Sequence, residues 1–295
     1  MKHAALLLTL AFGLVSCDGT RTEGPSAAVA APGSVTVKGK KIDVSLRLTE
    51  RDRRHAVAQL APPSETSGHL LLWPRERYMK IESDHSRVSF DVVFLDKAGT
   101  VVDLLPLGAQ SEEGVQPKVP AAAALLLMPG LPGRLGLKPG DKVDYSAEIA
   151  NAKPEELPVM KINGIPVWVE LALTEAERQH GLMFRPHMSA EDGMLFAYPN
   201  EENHSFWMGN TLIPLDIAFF ADDGTLVNVN ETPTYADPRN PGSSPATSPS
   251  KGPARYVLEM NLGWFRKKGL LDGSGHVAPG TKAEVPVWAT KGSVD

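Results

Sequence analysis

Two stretches of the chain alternate apolar and polar residues in the same way. Ile42, Val44, Leu46 and Leu48 take one face while Asp43, Ser45 and Arg47 take the other, and Val167, Val169, Leu171 and Leu173 repeat the pattern further on. Successive side chains of a strand point to opposite faces, so each stretch predicts a half-buried strand. Phe90, Val92 and Phe94 predict another, as do Leu215, Ile217 and Phe219, and Tyr256, Leu258 and Met260 line a late one. Thr174-Glu175-Ala176-Glu177 has the form of a capping box, in which the Thr oxygen and the Glu carboxylate satisfy the opening amides of a short helix. Asp222-Asp223-Gly224 predicts a hairpin turn, and Trp264–Lys268 a helical turn stopped at Gly269. Many short strands with few helices predict a mainly β fold, sandwich-like or barrel-like, with short helices.

The patterns recur because the chain repeats itself. Shifted by 125 residues it matches without a gap from Gly39/Gly164 to Val102/Val227. Val44/Val169, Leu46/Leu171, Glu50/Glu175, Arg53/Arg178, Gly68/Gly193, Leu70/Leu195, Asp91/Asp216 and Gly99/Gly224 are identical pairs. The match resumes at a shift of 133 with Pro120/Pro253, Leu125/Leu258 and Gly136/Gly269. Solenoid units run about 20–50 residues, so a period this long marks duplication of a whole domain. The expected copies are residues 34–150 and 158–290. The extra residues of the second copy fall in 237–253, whose prolines cannot ladder into a sheet and predict an exposed loop.

The N-terminus predicts an address. Met1-Lys2-His3 is a short positive start, and the apolar run Ala4–Val15 is too short to span a bilayer but suits a signal peptide over residues 1–16. Leu14-Val15-Ser16-Cys17 resembles the lipobox of bacterial lipoproteins, which implies acylation of Cys17, palmitate included. Residues 17–33 then read as a solvated tether, and the membrane becomes a partner through Cys17. The expected location is the bacterial cell envelope, facing the periplasm or the exterior, with the leaflet left open. Among 295 residues, Cys17 is the single cysteine, which excludes a disulfide framework and any zinc site of several thiolates. A net charge of −5 offers no footprint for nucleic acid.

Four blocks of the second copy carry a family resemblance: Gly181-Leu182-Met183-Phe184-Arg185, Gly193-Met194-Leu195-Phe196, Ser205–Thr211 running into Ile213-Pro214-Leu215-Asp216, and Gly252–Glu259 with Gly263-Trp264. In this order and spacing, over about Val159–Val285, they resemble domain-of-unknown-function family 192. The resemblance implies a compact, mostly antiparallel β fold, often secreted or membrane-attached, and no reaction. The first copy departs where the second is distinctive: Leu60 stands opposite Arg185, Ala58 opposite Met183, Glu82 opposite Trp207 and His85 opposite Asn210, whereas Asp91 is kept opposite Asp216. This favours a shared site that now resides in the second copy.

Arg185, Trp207, Asn210, Thr211 and Asp216 are therefore the candidate ligand-binding residues. An Arg fork and a carboxylate beside Trp suit a polar ligand such as a sugar or a carboxylate. The same residues also suit a structural role, with Arg185 and Asp216 as a buried pair and Asn210 and Thr211 capping backbone groups. No catalytic residue is assigned: there is no Gly-x-Ser-x-Gly elbow, and Ser205 beside His204 is adjacency only. His180, His187 and His204 lack a metal-ligand spacing, so no metal or cofactor is expected. Glu201, Glu202 and Glu231 read as solvated charges. The leading expectation is a lipid-anchored, non-enzymatic module binding a small polar ligand or an envelope protein. A hydrolase of carbohydrate or cell wall, with Asp216 as its acidic group, and a structural spacer stand behind it.

Overall fold

The computed structural model describes residues 32–54, 56–233, 247–286 and 289, so Cys17, the signal peptide and most of the tether lie outside the described residues, as does part of the 237–253 loop. The first copy runs β1 (Pro32–Val37), β2 (Lys40–Arg47), α1 (Glu50–Arg54), α2 (Ala56–Gln59), β3 (Ser67–Arg77), β4 (Phe90–Leu95), β5 (Val101–Leu107), β6 (Ala121–Leu127), α3 (Leu131–Arg134), β7 (Val143–Tyr145) and α4 (Ala147–Ala150). The second runs β8 (Val159–Ile162), β9 (Ile165–Ala172), α5 (Glu175–His180), β10 (Asp192–Glu202), β11 (Ser205–Trp207), β12 (Leu215–Phe220), β13 (Leu226–Thr232), β14 (Thr247–Pro249), β15 (Ala254–Asn261), α6 (Trp264–Lys267) and β16 (Ala283–Glu284).

Each copy is mainly β and builds one seven-stranded sheet. The second adds a two-stranded ribbon of β11 and β14, so the later part of the 237–253 stretch, expected to stay outside any sheet, does pair as a short edge strand up to Pro249. The orders, β5-β4-β6-β3-β2-β1-β7 and β13-β12-β15-β10-β9-β8-β16, are the same strand for strand. The sole parallel neighbours of each sheet, β2 with β3 and β9 with β10, occupy equivalent places, with Leu46 opposite Leu70 and Leu171 opposite Leu195. Each sheet curls into a half-barrel until its edges touch, at the bridges Thr100–Lys142 and Thr225–Lys282. The barrel-like form is thus the one adopted, not a two-sheet sandwich.

Both faces of each sheet are packed. In the second copy, Val167, Val169, Leu171 and Phe220 belong to one apolar cluster and Ala172, Phe196, Ile217 and Phe219 to another on the opposite face. Every residue of β12 is buried as a result. A period-two strand in the middle of such a sheet has no solvent face, whatever its alternation suggests.

A duplicated arginine ties helix to sheet. Arg53 donates to the carbonyls of Leu48 and Leu72, pairs with Glu50 and covers Trp73. Arg178 does the same with Leu173, Ala197, Glu175 and Tyr198. The predicted capping box is present, with Thr174 accepting from the Glu177 amide and Glu177 from the Thr174 amide.

Candidate functional site

Arg185 sits at the junction of the two copies. Its guanidinium is buried and makes a bidentate pair with Glu170 of β9, at 2.9 and 2.6 Å, and not with Asp216. Glu170 also receives Arg77 from the end of β3, and the other side of Arg77 lies 3.2 Å from Asp192. Arg75 bridges Asp192 and Glu156 and covers the Trp168 ring at 4.7 Å. Beyond them, Lys80 pairs with Glu82 at 2.6 Å and donates to the Met183 carbonyl at 2.9 Å, while His180 meets Glu82 at 2.9 Å. Arg54 reaches across to the Leu171 carbonyl and to Glu177. Cations of the first copy therefore bind carboxylates and carbonyls of the second.

These groups surround a cleft lined by Glu50, Arg53, Arg54, Arg77, Lys80, Glu82, Glu170 and Arg185. Val57, Trp73, Met79 and Ile81 supply its apolar wall. Burial pushes the Glu170 carboxyl up, but Arg185 and Arg77 more than offset this and hold it well below the usual carboxylate range. Glu82 is likewise brought down to about 2 against the effect of burial, by its bond from His180 and the charge of Lys80. Burial lowers Lys80, with Glu82 opposing.

One further carboxyl faces the same side of the sheet. Met194 lies opposite Glu170 on one neighbour and opposite Glu259 on the other, so the two residues flank it with their backbones about 10 Å apart, two strand spacings. Glu259 is buried, its Oε2 has no hydrogen-bond partner among the described residues, and burial raises its pKa to about 8 although Arg185 pulls the other way. The first copy has Ser45, His69 and Leu126 in this row, with Ser45 and His69 hydrogen-bonded at 2.6 Å. Sequence reasoning missed Glu170 and Glu259. The signal was in the repeat alignment, where each charge stands opposite a neutral residue of its sister.

The other candidates fall in two places. Asn210 adopts a left-handed backbone with φ of 54°, and its carbonyl accepts from the Phe184 amide, which seats the residue before Arg185. Thr211 is buried, with its amide and hydroxyl held by the carbonyls of Met208 and Gly209. Trp207 is 54% exposed, and its ring lies over Gly209, where a Cβ would meet it at 2.6 Å. Arg185, Asn210 and Thr211 thus lie in two adjoining loops, and Trp207 ends β11 beside them.

Asp216 does not join them. It pairs laterally with Met260, one residue out of step with the Glu170–Met194–Glu259 row, and so points to the opposite face. It is 0% exposed, and its two oxygens accept the Gly263 and Phe265 amides at 3.0 Å each. Burial pushes its pKa up, only partly offset by those two bonds. Asp91 accepts from Gly130 at 2.8 Å in the same manner. Gly130 and Gly263 have φ of 79° and 81°, a conformation that glycine takes without a Cβ clash. Ser205 is exposed while His204 stacks on Tyr198 and bonds the Ala254 carbonyl, so the two act separately. Among the described residues no group of His, Cys, Asp and Glu is arranged to hold a metal, and no helix is long and apolar enough to cross a membrane.

The family DUF192, described as Uncharacterized ACR, matches residues 33–145 and again 159–275. No curated protein matches the chain. A protein of Sinorhizobium meliloti, provisionally described as a transcription regulator, is 30% identical in a match that covers 44% of this chain and 95% of its own, with a TM-score of 0.36. A protein of unknown function from Novosphingobium aromaticivorans is also 30% identical, over 48% of this chain and 98% of its own, with a TM-score of 0.37.

Proposed function

The chain belongs to the DUF192 family and carries the domain twice; from that premise we infer that it is a lipid-anchored protein of the bacterial envelope that binds a small organic acid, without transforming it, in the cleft between its copies. The observation that carries this reading is the convergence of five cations there, Arg53, Arg54, Arg77, Lys80 and Arg185, beside Glu50, Glu82 and Glu170. Asp192 on Arg77 and Glu177 on Arg54 balance these cations in number, so a bound acid would take the place of a carboxylate on the rim cation Arg54. A guanidinium meets a carboxylate with two parallel bonds. The apolar wall of Val57, Trp73, Met79 and Ile81 suits an acid with an apolar body. The envelope part of the proposal rests on the apolar leader and Cys17.

Thermal unfolding of the full chain with a panel of organic acids tests the reading. A bound acid raises Tm by mass action. Arg54→Gln, at the partly exposed rim, is expected to abolish that rise and to leave the ligand-free Tm within about 3 °C. If no acid raises Tm, or if the rise survives in Arg54→Gln, the proposal fails.

A further inference from the structure

The two copies meet head to tail, and this leaves one docking element of the second copy unused. The first copy docks through residues 75–82 and the segment beside them, joined at the Ile81–Val115 bridge. Arg75, Arg77, Lys80 and Glu82 come from this element, and Gln116 accepts the His187 amide of the second copy. Shifts of 125 and 133 residues carry Ile81–Val115 onto Phe206–Ser248, the centre of the β11–β14 ribbon. The β3 and β10 irregularities that lead into the element, at Leu72/Arg77 and Ala197/Glu202, are also equivalent. Among the described residues no hydrogen bond or ion pair joins the ribbon to the first copy.

The receiving face is unused in the first copy in the same way. Where the second copy offers Met183, Phe184, Arg185 and His187, the first has Ala58, Gln59, Leu60 and Pro62, and Ala58, Gln59, Ala61 and Pro62 are exposed. The two free faces have changed together. Arg77 meets Glu170 in the filled junction, whereas their counterparts are Glu202 and Ser45; Arg75 meets Asp192, whereas theirs are Asn200 and Ser67. Trp207 replaces Glu82 on the ribbon and is 54% exposed, while Ala61 and Pro62 face solvent where the receiving loop lies. An ion-paired contact has its apolar counterpart on the two open ends.

We propose that a second copy of this chain fills the vacancy: Trp207 of one molecule docks on the exposed residues of segment 58–62 of the next, the counterpart of segment 183–187 in the junction already made within the chain. A contact between unlike faces is head to tail, and unless its rotation closes a ring the association continues with concentration.

Sedimentation of the full chain in detergent, over a range of concentrations, tests this. The mass is expected to rise with concentration, and Trp207→Ser and Pro62→Asp each to weaken association about 30-fold or more, as loss of a central aromatic anchor does. Both positions are surface sites, and an unchanged Tm for each variant shows that folding is intact. Mixing the two variants leaves one good face on each, so they are expected to form pairs and nothing longer. A chain that stays monomeric throughout overturns the proposal. So does association that Pro62→Asp leaves intact, which would mark a ribbon-to-ribbon contact.

Discussion

Glu259 makes stability depend on pH in a direction opposite to most carboxylates. Its folded pKa of about 8 lies above the ordinary 4.5, because burial disfavours the charge more than Arg185 favours it. Below 4.5 both folded and unfolded chains hold the proton, and the group is neutral in its effect. As pH rises past that value the unfolded chain releases the proton while the folded chain keeps it, so stability falls until about pH 8 and then levels. One pH step in this window costs about 1.4 kcal/mol, which places the loss at about 3 kcal/mol by pH 7. Glu259→Gln keeps the shape and cannot ionise. Urea unfolding of both proteins at pH 5, 7 and 9 is expected to show a gap that moves in favour of the variant by about 3 kcal/mol from pH 5 to 7, and further by pH 9. Any fixed effect of the new amide is the same at each pH and drops out of the slope. A gap independent of pH would refute the assignment of a buried, protonated carboxyl.

Three other outcomes follow from the same geometry. Asp216→Ala removes two charge-assisted bonds to the turn before α6 and Asp91→Ala one, so losses of about 3–6 and 1.5–3 kcal/mol are expected on calorimetry. Glu82, held near pKa 2 against burial by His180 and Lys80, contributes stability that is complete above the unfolded value of 4.5 and vanishes as pH falls through 2; the stability difference between wild type and Glu82→Gln is therefore expected to close over that window in acid titrations. Cys17→Ala is expected to move the chain from the membrane to the soluble fraction and to abolish palmitate labelling, whereas retention on the membrane would remove the lipid anchor from the proposal.

The duplication and the strands were legible because self-alignment and period-two alternation are local properties of the sequence. Closure of each sheet was not, since the bridges Thr100–Lys142 and Thr225–Lys282 join positions about 40 and 60 residues apart. Arg185 stood out through its motif, but its partners did not. Glu170 reads as the polar side of a strand between Val169 and Leu171, and Arg77 comes from the other copy. Asp216 shows the opposite error. Its alternation pointed to a free face, yet β12 lies between β13 and β15 and is covered on both sides. Its identity with Asp91 was the better guide, for what both copies retain is what both need in order to fold.

The same reasoning separates the scaffold from what was added to it. Arg53 and Arg178 make matching bonds, as do Asp91 and Asp216 to their glycine turns, and these pairs occur in both copies because each sheet needs them. Arg77, Lys80, Glu170, Arg185 and Glu259 have no such twins, and all but Glu259 line the cleft where the copies meet. Duplication of a domain with two unlike faces leaves one junction and two ends. Charge at the junction is stabilised by a partner that is always present, because the linker supplies it at high effective concentration. At the ends no such partner is tethered, and a charged pair there would lack its counterpart. The exchange of Glu82 for Trp207 on the open ribbon follows that division, with ion pairing retained where the chain guarantees contact and apolar surface placed where contact depends on meeting another molecule.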